Sequence, residues 1–218
     1  MPHPTDLYDL LVSFDLDSEE YSGFHLVWAE GMGANELCRR LGGDPASAFR
    51  CDIDNLARPE AEPGPGMWAG TANGWAQALL FGLYPSPLSF LQEVSRGTRA
   101  LSVKCGYDNY RLDWAIDGVV VTCFLIDWPA ERGGTDPHAL DPLMEGLFFQ
   151  LDNPDDDGIE NPVTIEVSVT SALRLAGRIT GREIDAKWLN AVHSCYSRRS
   201  SGPPELADVG RGGGVSAS

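Results

Sequence analysis

Hydrophobic and polar positions change rhythm along this chain, and the rhythm predicts its elements. Phe24-His25-Leu26-Val27-Trp28-Ala29 is a nearly unbroken apolar run ended by Gly31-Met32-Gly33, which reads as a short strand and its turn. In ANELCRRLGG, Leu37 and Leu41 stand four apart and Gly42-Gly43 closes the run, so a short amphipathic helix is expected. Pro, Gly and charge dominate residues 44–66, an irregular connection. Residues 67–72 and 75–83 flank Asn73-Gly74, a dipeptide that supplies the positive φ values of a tight hairpin, and therefore pair as antiparallel strands. Pro85 and Pro87 end the second of these. LSFLQEVSRG is then a short helix with Leu88, Leu91 and Val94 inward and Gly97 as its stop.

The clearest pattern is TRALSVKCGYDNYRLDWAIDGVVVTCFLIDW. It holds three strand-like runs, 99–105, 109–116 and 119–127, the last two joined by Asp117-Gly118. Leu112, Trp114 and Ile116 alternate with Arg111, Asp113 and Ala115, as in a strand with one face buried and the other in water. The C-terminal third turns helical. ALDPLMEGLFFQL opens with Asp141 as N-cap and Pro142 in the first turn. VTIEVSVTSALRLAGRI starts with β-branched residues, but Ala172, Leu173, Ala176 and Ile179 have helical spacing, so it reads as helix. EIDAKWLNAVHSCY is expected as a last helix with Ile184, Trp188 or Leu189, and Val192 on one side. The sum is an α+β fold: a twisted antiparallel sheet of about five or six strands, with helices on one face and a helical C-terminal end.

Composition adjusts this picture. With 218 residues and 43% hydrophobic content, one sizeable core is expected: a single domain over 1–197, with 1–20 as an acidic N-terminal segment. The Ser/Gly/Pro-rich stretch 198–218 predicts a disordered tail. No run of 18 apolar residues suggests a membrane span, and the acidic first residues do not resemble a secretory signal. Five cysteines without close pairs point to reduced thiols and a cytoplasmic location. The formal charge of −16 is uneven: residues 131–160 hold nine acids against the single base Arg132, a local balance of −8. Such surfaces repel a phosphate backbone, so direct nucleic-acid binding is disfavoured and a basic protein partner is favoured. Plain solubility is the simpler use of the same charge.

The order strand, ELCRRLGG helix, N-G-W strand, helix, TRALSV strand, A-I-D-G hairpin and D-P-H-A-L-D-P-L helix start resembles an uncharacterised actinobacterial family of small α+β domains, a domain of unknown function. The resemblance spans roughly residues 22 to 190, and its motifs are turns, caps and core positions. It implies a bacterial α+β domain and carries no catalytic residues.

Candidate chemistry is sparse. In DNPDDDGIENPVT, Asn153, Asp155 and Asp157 occupy the first three ligand positions of a calcium loop with Gly158 as its glycine. Position 12, which needs a bidentate Glu, is Thr164, so Asp155, Asp156 and Asp157 read chiefly as an acidic turn and a surface for a basic partner. Gly31-Met32-Gly33 stands between a strand and a helix, but Glu36 occupies the third glycine of a dinucleotide fingerprint. Asp136, His138 and Asp141 could form an acid/base or ligand-binding group, and helix capping explains both aspartates equally well. No G-x-S-x-G elbow is present, and Cys195 and His193 are wrongly spaced to meet on a helix. Of six tryptophans, Trp68 and Trp128 adjoin irregular segments and could anchor a partner or line a pocket, with core packing as the default. The leading expectation is a non-catalytic acidic protein-interaction module of the immunity or antitoxin kind, with no metal or cofactor. The alternative is a small-ligand binder or hydrolase-type enzyme, its pocket between sheet and helices and built on Asp136, His138 and Asp141.

Overall fold

A computed structural model describes residues 5–16, 23–53, 66–80, 87–106, 109–149 and 163–197. In chain order they form α1 (Asp6–Val12), β1 (Gly23–Glu30), α2 (Ala34–Arg40), β2 (Phe49–Cys51), β3 (Met67–Ala72), β4 (Trp75–Leu80), α3 (Pro87–Val94) and β5 (Arg99–Gly106). The chain continues through β6 (Asn109–Ile116), β7 (Val119–Leu125), β8 (Arg132–Gly133), α4 (Asp141–Met144), α5 (Ile165–Thr180), α6 (Ala186–Leu189) and β9 (His193–Tyr196).

The nine strands make one antiparallel sheet in the order β2-β9-β3-β4-β1-β5-β6-β7-β8. Both tight hairpins form where the dipeptides place them: Asn73 and Gly74 have φ of 50° and 78°, Asp117 and Gly118 of 47° and 78°. Those paired positive values suit Asn-Gly and Asp-Gly and match the twist of the flanking strands.

Helices cover both faces of the sheet, where the alternation in β6 had suggested one. One face presents large side chains, among them Trp28, Trp68, Trp75, Leu79, Leu101, Trp114 and Phe124, to α1, α5 and α6. The opposite face presents Ala29, Ala69, Ala76, Ala78, Ala100 and Ala115 to α2 and α3, and such small residues let those helices approach closely. This explains the unbroken apolar run of β1, in which Phe24 to Ala29 are all buried. Helix α5 is itself covered twice, by the sheet and by α1, through Arg174 Nη2 to Asp6 Oδ1 (2.8 Å) and Tyr8 N–H to Thr170 Oγ1 (3.1 Å). It ends on Gly181 in the left-handed region, φ 74°.

Several expectations are corrected here. The sheet has nine strands because β2, β8 and β9 are short pairings that periodicity cannot register. The C-terminal end is not helical. Asp185 caps only the single turn of α6, accepting from Trp188 N–H, and HSCY then leaves the helix to pair with β2 and β3. Val192, expected inward, is exposed. Likewise α4 is one turn, capped by Leu140 rather than Asp141, while α1 stands in the segment expected only to be acidic. Finally, Cys51 and Cys195 are joined as a disulfide, against the expectation of reduced thiols: β9 brings together residues 144 positions apart. The expected tail and the acidic turn 152–160 lie outside the described residues.

Candidate functional site

The face under α2 and α3 changes character along its strands. Near the 117–118 hairpin it is made of alanines, Ala29, Ala100 and Ala115. Two and four residues further along, the same alternating positions become polar. Val27, Ser102, Asp113 and Cys123 form one row across β1, β5, β6 and β7, and His25, Lys104, Arg111 and Leu125 form the next. Directly opposed side chains of this kind have Cβ atoms ~4.5–5.5 Å apart, and rows two residues apart are separated by ~7 Å.

Helix α3 packs on β5, β6 and β7, and its Phe90 ring lies 5.2 Å from the His25 imidazole. The floor beneath is deeply buried: Asp113 and Ser102 are each 0% exposed and His25 7%. The rim is open to solvent, with Lys104, Cys123 and Leu125 half-buried and the Arg111 side chain 21% exposed.

The hydrogen bonding of this floor is incomplete. Arg111 Nε donates to Asp113 Oδ1 at 2.7 Å. Asp113 Oδ2, Ser102 Oγ and His25 Nε2 have no hydrogen-bond partner among the described residues. A buried polar atom left unpaired costs about 1–3 kcal/mol, so native folds seldom tolerate three on one patch. Gln77 Nε2, Asp127 Oδ1 and Trp188 Nε1 are also unpaired, but they lie singly on β4, beyond the end of β7 and on α6.

Burial raises the Asp113 pKa above the ordinary carboxylate value; the Arg111 charge and hydrogen bond pull the other way. The Ser102 hydroxyl opposite pulls the same way as Arg111, although it is not within good hydrogen-bond geometry. Desolvation, and then the nearby Lys104, lower the His25 pKa to about 3, so its imidazole is neutral at neutral pH. The patch thus offers a carboxyl, a hydroxyl and a neutral imidazole, ringed by two basic side chains. It can donate and accept hydrogen bonds to a polar molecule.

The residues singled out from sequence lie elsewhere. Trp68 is fully buried; its indole N–H donates to the Cys51 carbonyl (3.1 Å), and it meets Trp188 and His193 edge-on at 4.9 and 4.6 Å. Trp128 is half-buried in the turn after β7, its N–H on the Leu125 carbonyl. His138 Nδ1 and Asp141 Oδ2 do meet, at 3.0 Å, but the His138 side chain is 74% exposed. Asp141 also pairs with Arg132, and the Asp136 backbone is tied to Val121 and Thr122. The group is an exposed ion-pair cluster. Asp155, Asp156 and Asp157 fall outside the described residues. Glu36, at the head of α2, is held by Arg39 and Arg40, which keep its carboxyl at about 2. Among the described residues, no group of three or more His, Cys, Asp or Glu could hold a metal ion, and no helix is long and apolar enough to cross a membrane.

The polar patch escaped the sequence reading because Arg111 and Asp113 sit at alternate positions of a strand and look solvent-facing. The available signal was in β1, whose apolar run requires cover on both faces and places the alternating polar positions of β5 and β6 under that cover. No curated protein and no solved structure matches the chain. A family model does match, over residues 12–196, and covers all the described strands and all the described helices except α1, of which it includes only Val12. The chain therefore belongs to the family described as Family of unknown function (DUF6461).

Proposed function

We propose that this protein binds a small polar molecule on the sheet face beneath α3, using Ser102, Asp113 and His25 as the floor and Lys104 and Arg111 as the rim. One observation carries the reading: three buried side-chain atoms on adjacent strands, His25 Nε2, Ser102 Oγ and Asp113 Oδ2, lack partners on a single patch. Groups that cost stability when unpaired are retained where a ligand pairs them. The alternative expected from sequence, a pocket between sheet and helices, is kept here with different residues.

The test is thermal unfolding of wild type and Ser102→Ala against a panel of polar metabolites of every charge class. A true ligand at a hundred times its Kd stabilises by about 2.7 kcal/mol, and Ser102→Ala weakens that effect. If no class of compound moves the wild-type midpoint, the reading is wrong.

A second reading has its own support. Arg132, the single base among residues 131–160, is tied to Asp141 and to the Pro129 carbonyl, so the acids around it keep their surplus charge. That supports an acidic surface for a basic protein partner. Charge reversal at Asp155, Asp156 and Asp157 then abolishes recovery of that partner in a pull-down; binding indifferent to the reversal rules it out.

A further inference from the structure

We infer that the ligand of this patch is an uncharged polyhydroxylated molecule, a sugar or cyclic polyol, held through neighbouring hydroxyl groups. The inference rests on the site proposed above and names its ligand class.

The first observation is the balance of charge. Arg111 Nε and Asp113 Oδ1 hold each other at 2.7 Å, so the two formal charges at the centre cancel. Lys104, on the rim, already has an interaction partner. His25, whose imidazole burial pushes down to about 3, is neutral. No unspent charge is left to meet an ionic group. A carboxylate, phosphate or amine set over this floor would lose its water without gaining an ion-pair partner. That loss is large for a charge and small for a hydrogen-bonded hydroxyl.

The second observation is the kind of atom left unpaired. Asp113 Oδ2, as part of a carboxylate, only accepts; Ser102 Oγ both donates and accepts; His25 Nε2 does one or the other according to its tautomer. A ligand carbonyl cannot serve the carboxylate at all. A single hydroxyl donates to Asp113 and accepts from Ser102 through one oxygen. Ser102 and Asp113 are directly opposed on β5 and β6, ~4.5–5.5 Å apart at Cβ. His25 lies diagonally from Ser102 on β1, ~7–8 Å away. A second hydroxyl on the same skeleton reaches it.

The third observation is the apolar wall. The Phe90 ring of α3 stands 5.2 Å from the His25 imidazole, inclined at 56°, and Val27, fully buried, lies directly opposite Ser102. A few convergent polar groups within an apolar wall are the usual make-up of a small-molecule site. The C–H faces of a sugar ring pack on such a wall while its hydroxyls turn to the floor.

Cys123 provides the readout. Its free thiol is half-buried and stands directly opposite Asp113, whereas Cys38 and Cys105 are buried and Cys51 and Cys195 are bonded. Alkylation by iodoacetamide, followed at Cys123 by mass spectrometry, reports occupancy in the full chain, with melting recorded in parallel. Glucose and myo-inositol are the uncharged probes; gluconate and glucosamine carry one negative or one positive charge on a similar skeleton. Betaine at matched osmolality controls for the general stabilisation by excluded cosolutes. Expected is saturable protection of Cys123 and a raised midpoint with glucose or myo-inositol, and no protection with betaine. Ser102→Ala weakens that protection about 2- to 10-fold, the loss of one neutral hydrogen bond. It removes an unpaired hydroxyl, so the variant keeps its fold. If gluconate or glucosamine protects Cys123 at lower concentration than both uncharged probes, in a Ser102-dependent way, the uncharged assignment is overturned and the site stands. If no compound protects Cys123, or Ser102→Ala leaves the protection unchanged, both fall.

Discussion

Replacing Asp113 by Asn tests the energetic reasoning behind the site without any ligand. Asp113 is fully buried, one of its oxygens is unpaired, and its carboxyl is pushed above the ordinary value because burial outweighs Arg111 and Ser102. The charged form is thus penalised in the folded protein. Asparagine preserves the shape, still accepts from Arg111 Nε through its carbonyl, and removes the charge. The amide nitrogen that takes the place of Oδ2 stays unpaired, so the gain comes from removing the desolvated charge, about 1–3 kcal/mol, and 1 kcal/mol moves the midpoint of a protein this size by about 2–4 °C. Asp113→Asn is therefore expected to raise the midpoint by ~2–12 °C at pH 7.5.

The pH dependence supplies the sharper check. A carboxyl with a raised native pKa holds its proton to higher pH when folded than when unfolded. Its contribution is complete below the unfolded value and is lost as pH rises through the native one. The advantage of asparagine should consequently widen as pH rises from the ordinary carboxylate range through the raised native value and shrink toward acid, with the scan kept above the isoelectric point near 4.4. Circular dichroism melts of both proteins at four pH values suffice. A variant that melts several degrees below wild type at pH 7.5 would show that the Arg111 pair outweighs burial. The argument for a ligand site from unpaired atoms would then fail.

Three further outcomes are expected. The Cys51–Cys195 bond closes a separation of 144 residues, for which chain entropy alone gives a stabilisation of roughly 5 kcal/mol; urea unfolding of Cys51→Ala, or of wild type in dithiothreitol, should reveal most of it, and an unchanged midpoint would mean the bond does not form in solution. At Gly70 an added Cβ would come within 2.3 Å of the His193 Nδ1, so Gly70→Ala is expected to cost about 1–3 kcal/mol, with partial recovery when His193→Ala is added; strict additivity in that double-mutant cycle would contradict the close approach. Because His138 is largely exposed, His138→Ala should stay within about 0.5 kcal/mol of wild type in the same urea assay, and a larger loss would restore a role to the Asp136–His138–Asp141 group.

Sequence rhythm served best where local chemistry decides the outcome. Asn73-Gly74 and Asp117-Gly118 force their turns whatever surrounds them, and Leu91 and Val94 set the inner side of α3 through their spacing alone. It served worst where a distant partner decides. His193 to Tyr196 become a strand only because β2 and β3 stand ready to pair, and nothing within HSCY announces that. The same limit hid the site. Arg111 and Asp113 share an alternation with Ala115, and only α3 lying across β6 distinguishes a buried carboxylate from a solvated one. Conversely, Trp68 adjoins an irregular segment in sequence, yet β9 and α6 close over it.

The insertion of β9 between β2 and β3 also bears on how the molecule is made. Among the described strands, β2 reaches the sheet only through β9, the last of them to leave the ribosome, so β3 must present an open edge while everything between is synthesised. Exposed edges recruit other chains, and domains assembled from sequence-distant pairings fold slowly. The growing chain therefore passes through a nascent stage in which one edge is unprotected and the Cys51 thiol waits for Cys195. Its arrival places a strand and a covalent bond in the same few residues, and the edge of β3 is covered in one late event.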